Sequence, residues 1–108
     1  MSNEMKQIDN EYTLLKILKD NPDVTQRQLS KELGLSLGKT HYLIHALMGK
    51  GWVKLTNFRR SNKKLGYLYL ITPKGIEEKS ILAKNFLERK SAEYIKLKEE
   101  IEILKSEL

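Results

Sequence analysis

Cysteine does not occur in this sequence, which excludes disulfides and thiolate metal sites and gives no sign of an oxidising compartment. No apolar run approaches the ~20 residues needed to span a bilayer, so no membrane partner is expected. The opening residues, Met1-Ser-Asn-Glu-Met-Lys-Gln7, hold no apolar h-region of the kind a secretory signal needs, and the cytoplasm is the expected compartment. Proline is scarce, occurring only at Pro22 and Pro73. Both positions read as boundaries between elements.

Acidic residues are missing from a long internal stretch. None lies between Glu32 and Glu77, a 44-residue interval that carries Lys39, Lys50, Lys54, Arg59, Arg60, Lys63, Lys64 and Lys74. Up to Gly75 the chain has thirteen Lys/Arg against six Asp/Glu, a net +7; beyond it, seven against eight, a net −1. Solvated protein faces normally mix both signs. A block of one sign is what a polyanion leaves as its footprint.

Catalytic constellations are also lacking. There is no Gly-rich phosphate loop and no G-x-S-x-G elbow, and the acids cluster towards the two ends of the chain. No enzyme activity and no cofactor are expected. His41 and His45 stand at i, i+4, but no third His and no Asp or Glu accompanies them inside the acid-free block, so no metal is expected.

What is present makes one ordered domain, or one small domain with an appended helix: 108 residues, 40% of them hydrophobic. Residues 1–10 are polar and read as a mobile lead-in. From Glu11, Tyr12, Leu14, Leu15, Ile17 and Leu18 give a helical face that ends at Asp20-Asn21-Pro22, so the first helix is expected at about 11–20. Thr25 and Gln28 form a capping-box pattern opening a second helix, with Leu29 and Leu33 as its buried stripe and Gly34 as its stop. After a short turn, Ser36 can cap a third helix running to Lys50, where Gly49 and Gly51 offer a stop. In that helix Thr40, Ile44 and Leu47 fall on one buried stripe, while Lys39, His41, Tyr42 and His45 face outward.

Helix, short Gly-containing turn, helix is the spacing of a helix-turn-helix, whose second helix is presented to a DNA groove. The period then changes to alternation. Residues 52–58 and 65–71 read as paired strands around Arg59-Arg60-Ser61-Asn62-Lys63-Lys64, a turn-compatible loop with four cations. That order is a winged helix. Trp52 suits the core, and Tyr67 and Tyr69 share a strand face as packing residues. Thr72 can cap a following helix with Pro73 at its first position, Glu77 and Glu78 favouring its positive end. Ile76, Leu82, Ala83, Phe86 and Leu87 suit its return across the core.

Tyr94, Leu97, Ile101, Leu104 and Leu108 are spaced 3, 4, 3, 4, the a-d-a-d-a pattern of a heptad seam. Glu93 and Glu100 then occupy g, and Lys98 and Lys105 occupy e. A parallel pair of helices brings Glu to Lys across the seam; an antiparallel pair brings like charges together. A parallel homodimer is therefore expected. The other arrangement is a single amphipathic helix folded back on its own domain, and Ile95 and Ile103, off the seam, suit it.

The runs Thr25-Gln-Arg-Gln-Leu-Ser-Lys-Glu-Leu-Gly34, Leu35-Ser-Leu-Gly-Lys-Thr40, Leu47-Met-Gly-Lys-Gly-Trp-Val53 and Leu70-Ile-Thr-Pro-Lys-Gly75 resemble MarR-type winged-helix transcriptional regulators. The run Asn57-Phe-Arg-Arg-Ser-Asn-Lys-Lys-Leu-Gly-Tyr67 is similar to the small branch of that family associated with exopolysaccharide gene clusters. The resemblance covers about residues 11–90. It implies a bacterial, dimeric, operator-binding regulator with contacts from the second helix of the motif and from the wing.

The expected fold is mainly α with a small β-hairpin: a winged helix-turn-helix at residues 11–75 and a long C-terminal dimerisation helix at 76–108. The expected function is sequence-specific binding of duplex DNA at a pseudo-palindromic operator, in association with the nucleoid. The expected contacts are Ser36, Lys39, His41, Tyr42 and His45, with Arg59 and Arg60 at the minor groove and Lys63 and Lys64 on phosphates. For Tyr42, packing on the phosphate backbone and supporting the turn are both open. The competing function is a winged-helix protein-interaction module with incidental basic charge. Whether any small-molecule effector exists is open.

Overall fold

A computed structural model of the chain describes residues 3–59 and 65–108, with side chains placed for residues 6–56 and 68–108. The elements are α1 (Asn3–Asp20), α2 (Gln26–Leu33), α3 (Leu37–Gly49), β1 (Val53–Arg59), β2 (Leu65–Ile71) and α4 (Pro73–Ser106). The strands pair antiparallel, from Val53 opposite Ile71 to Arg59 opposite Leu65. This is the expected winged helix-turn-helix with a long last helix.

Local signals set most of the boundaries. The Thr25 side chain accepts from the Gln28 N–H and the Gln28 side chain accepts from the Thr25 N–H, at 3.1 and 2.9 Å, completing the capping box of α2. Gly34 stops that helix at φ +68°, a left-handed conformation that costs glycine little. Ser36 caps α3 by accepting from the Lys39 N–H at 3.1 Å.

The core gathers Leu14, Leu15 and Leu18 from α1, Leu29 from α2, Leu43, Ile44 and Leu47 from α3, and Val53 and Tyr69 from the hairpin. Two polar contacts fix how its parts meet. Between α2 and α3, the fully buried Thr40 hydroxyl donates to the Ser36 carbonyl and accepts from Ser30 Oγ, both at 2.9 Å. Between the hairpin and the helices, Tyr69 donates its N–H to the Pro22 carbonyl at 3.1 Å and accepts at its hydroxyl from Gln26 Nε2 at 2.9 Å. The wing is thus tied to both ends of the α1–α2 turn. Replacing Thr40 by the isosteric Val removes the first latch, whose hydrogen bonds are worth about 1 kcal/mol net. The expected result is a fall in Tm of about 4–8 °C; a Thr40→Val protein melting with the wild type would mean that the latch adds nothing.

Thr72 joins the sheet to α4. Its N–H donates to the Trp52 carbonyl at 2.9 Å, its hydroxyl donates to the Gly51 carbonyl at 2.6 Å, and that same oxygen caps α4 by accepting from the Gly75 N–H at 3.0 Å. Gly75 is buried so tightly here that a Cβ on it would lie 2.1 Å from the Trp52 carbonyl oxygen.

Several expectations need correction. The lead-in is helical from Asn3, not from residue 11, and α1 lies against α4. There, Asp9 pairs with Arg89, Tyr12 stacks on Phe86 with ring centroids 5.7 Å apart, and Lys79 lies over Tyr12. The Asp9 carboxylate, chiefly by its hydrogen bond, raises the Arg89 pKa above its ordinary value. Glu77 and Glu78 lie beyond the first turn of α4, which holds no acid. Leu82 packs on the core, but Ile76 and Leu87 are exposed. Trp52 packs against the core as expected, but it lies half-buried in the turn before β1 and not in the strand, with Lys50 Nζ 4.5 Å above its ring.

Beyond Lys90 the last helix does not fold back on its own domain. All residues from Ser91 to Leu108 are exposed. Its 34 residues extend ~51 Å at 1.5 Å per residue. The radius of gyration is accordingly 18.0 Å, against roughly 13 Å for a compact chain of this size.

Candidate nucleic-acid interface

The interface is built on the two faces of α3. Thr40, Leu43, Ile44 and Leu47 are buried in the core, and the helix packs on α2 and β1. Lys39, His41, Tyr42 and His45 are all exposed, Tyr42 by 72%. The periodicity therefore sorted this helix as expected. Ser36 is exposed at its start, with its oxygen committed to the cap. His41 and His45 bring their rings together, with centroids 4.2 Å apart.

Three groups near these residues escaped sequence reasoning. Leu37 is 47% exposed at the first position of α3, where an apolar side chain can meet a thymine methyl. Arg27 is exposed in the first turn of α2, beside the Thr25 cap. It lies outside the acid-free block; the signal that could have found it is its place next to a helix N-terminus. The third group is the backbone: neither α2 nor α3 has an acid in its first turn, so both positive helix ends are free to face phosphates.

One cation of the acid-free block is spent internally. Lys50 Nζ lies 3.3 Å from Glu11 Oε1, a carboxylate that α1 buries beneath it. Charge that is unopposed along the sequence is here opposed across the fold. Lys54 and Lys74 remain exposed. Arg59 ends β1, opposite Leu65; its side chain, together with Arg60, Lys63 and Lys64, lies outside the described residues.

Between the start of α1 and α3 lies a cleft of about 440 Å³ lined by Lys6, Gln7, Asn10, Leu35, Lys39 and Tyr42 among others. Two of the outward residues of α3 thus also form its wall. Among the described residues no group of three or more His, Asp or Glu is placed to hold a metal, and no helix is long and apolar enough to cross a membrane.

At the other end of the molecule, Tyr94, Leu97, Ile101, Leu104 and Leu108 are exposed, as are Ile95 and Ile103. Beside these residues, Glu93 pairs with Lys90 at 3.2 Å and Lys105 with Glu102 at 3.7 Å, both within the helix and both largely exposed. Pairs of this kind are worth at most ~0.5 kcal/mol and exchange readily.

Residues 9–54 match the family described as winged helix-turn-helix DNA-binding. The matched stretch runs from α1 through both helices of the motif to the start of β1. Among curated proteins none matches the sequence. Solved structures of similar fold include a transcriptional regulator homologue from Pyrococcus horikoshii OT3, at 18% identity and a TM-score of 0.61 over 85% of this chain and 90% of that one. A MarR protein from Peptoclostridium difficile DA00132 matches at 24% identity and TM-score 0.59, over 79% of this chain and 53% of its own. A MarR/EmrR family transcriptional regulator from Acinetobacter sp. ADP1 matches at 18% identity and TM-score 0.62, over 85% and 59% respectively. The chain thus spans most of the archaeal protein and little more than half of the two bacterial ones.

Proposed function

From a chain that carries a winged helix-turn-helix DNA-binding unit and has the fold of MarR-type regulators, we propose a bacterial transcriptional regulator that binds duplex DNA sequence-specifically as a homodimer. The observation that carries this reading is the division of α3: a face anchored by Thr40, Leu43, Ile44 and Leu47, and an opposite, exposed face of Lys39, His41, Tyr42 and His45.

In this reading residues 11–75 are the DNA-binding unit and 76–108 the dimerisation helix, whose first part also packs on α1. The α3 helix enters the major groove. Lys39 and His45 reach base edges or phosphates, Tyr42 lies on the backbone, and Ser36 holds the helix end towards a phosphate. The wing lies along an adjacent minor groove, with Arg59 and Arg60 inserted or flanking it and Lys63 and Lys64 on phosphates. Two copies place two α3 helices on half-sites about one helical turn apart, which requires a pseudo-palindromic operator. The similarity of residues 57–67 to the exopolysaccharide-associated branch points to such gene clusters as targets.

Two variant sets test the assignment. Arg59→Ala with Arg60→Ala should weaken binding to all duplexes and flatten the salt slope by about one unit per lost phosphate contact. A slope equal to that of the wild type removes the wing from the interface. Lys39→Ala and His45→Ala should reorder affinities among different duplexes; a uniform loss makes both side chains phosphate contacts only. A second reading, a protein-recruiting module, is favoured by the exposed apolar residues of α4. It gives no preference between one DNA sequence and another, which the same binding series measures.

A further inference from the structure

His41 and His45 stand one turn apart on the exposed face of α3, their ring centroids 4.2 Å apart and their planes tilted by 46°. We propose that this pair is a two-imidazole binding site for a late first-row divalent cation, Cu²⁺, Ni²⁺ or Zn²⁺. Residues at i, i+4 share a helix face, and two histidines at this spacing are a geometry by which a helix holds such ions. An ion bonded to one ring nitrogen of each at ~2.0–2.1 Å lies roughly 3.2 Å from each ring centre. At nitrogen–metal–nitrogen angles of about 90–109° the two ring centres lie roughly 4.5–5.2 Å apart. The observed 4.2 Å is a few tenths of an ångström shorter, a gap that the exposed rings close by turning about their own side-chain torsions.

Three further features fit. Both side chains are exposed, so an ion reaches them from solvent. The opposite face of α3 is fixed by buried Thr40, Ile44 and Leu47, so the imidazoles are carried on a rigid backbone and only their own torsions adjust. Imidazole matches these ions, whereas Ca²⁺ and Mg²⁺ require oxygen ligands that are lacking here. The neighbouring positions on the same stripe are Leu37 and Gly49, which supply no ligand. Among the described residues the two rings are therefore the protein's whole contribution, and the outward positions of the ion stay with water. The site does not rest on the DNA-binding reading. Because the same rings are proposed DNA contacts, however, ion and duplex should each change the apparent affinity of the other.

The test is calorimetric titration of NiCl₂, and separately CuCl₂, into the full chain purified without a polyhistidine tag. The wild type should bind one ion per chain, Cu²⁺ more tightly than Ni²⁺. His41→Gln and His45→Gln should each weaken binding at least ~10-fold, the scale of loss expected when a metal's surroundings are disturbed. Electron paramagnetic resonance of the Cu²⁺-loaded wild type should show two coupled imidazole nitrogens, and each variant one. Equal affinities in all three proteins, or a Cu²⁺ spectrum that neither variant changes, overturns the site. Both residues are exposed, so variants that melt with the wild type confirm that the comparison is between folded proteins. Repeating the Ni²⁺ titration with saturating sheared genomic duplex DNA separates the two readings. A wild-type Ni²⁺ affinity that DNA leaves unchanged counts against the histidines as DNA contacts, while the metal site stands on the variant data alone.

Discussion

Truncation after Lys90 should leave a folded monomer that binds a two-half-site duplex about 10²–10⁴-fold more weakly than the full chain, the range by which linked sites exceed single ones. The fold should survive because nothing in the core lies beyond that point. The last packed contacts of α4 are Leu82 on the core, Phe86 on Tyr12 and Arg89 on Asp9. What the truncation removes is a helix exposed from Ser91 to its end, bearing Tyr94, Leu97, Ile101, Leu104 and Leu108 at coiled-coil spacing. A helix segment this long gains no tertiary packing from its own domain, and isolated helical segments of this length are marginal in water. A second copy would supply the packing. In a parallel pair, Glu93 and Glu100 meet Lys98 and Lys105 of the other helix, whereas an antiparallel pair opposes like charges. Light scattering on the truncated and full chains reads the result. A truncated chain that remains dimeric refutes the seam.

Gly75→Ala should destabilise the fold by about 2–3 kcal/mol or more, at the upper end of what overpacking usually costs. The reason is local and severe. A Cβ on Gly75 would lie 2.1 Å from the Trp52 carbonyl oxygen and 2.8 Å from Ile71 Cγ1. That carbonyl cannot turn away cheaply, because it accepts from the Thr72 N–H. Relieving the overlap therefore pulls apart the junction at which Thr72 links the α3–β1 turn, the end of β2 and the start of α4. The expected fall in Tm is about 8–20 °C by thermal melting, and it should come with weaker DNA binding as the wing loses its anchor. An alanine variant as stable as the wild type would show that the start of α4 moves freely against Trp52. Position 75 is thus constrained by close approach of backbone to backbone, not by a left-handed φ.

How far this was legible in the sequence depends on the range of the interaction that decides each feature. The capping box of Thr25 and Gln28, the Ser36 cap, the Gly34 stop and the Thr72-Pro73 start are set within four residues, and each boundary falls where those residues place it. The two faces of α3 follow from a period of one turn. Contacts between distant segments were not legible. Residues 3–10 are polar and lack a strong local helical pattern; Asp9 reaches Arg89, eighty positions away. The pairing of Lys50 with buried Glu11 likewise joins positions 39 apart, and it removes one cation from a block that reads as wholly unopposed. Tyr69 looked like a packing residue, which it is, but its bond to Gln26 is what ties the wing to α2. The outward placing of Lys39, His41, Tyr42 and His45 was legible because one face of a helix needs only its own sequence. The exposure of Arg27 and Leu37 was not, since it depends on how α2 and α3 are set in the fold.

The central claim is that α3, presented twice by a dimer, reads DNA sequence. The most direct measurement is selection of duplexes bound by the full chain from a random-sequence pool, followed by sequencing of what is retained. The expected outcome is enrichment of a pseudo-palindrome whose half-sites are centred about one helical turn apart, with the preferred bases changing when Lys39 or His45 is replaced. Retention of duplexes without any enriched sequence, identical for the wild type and for these variants, would contradict it.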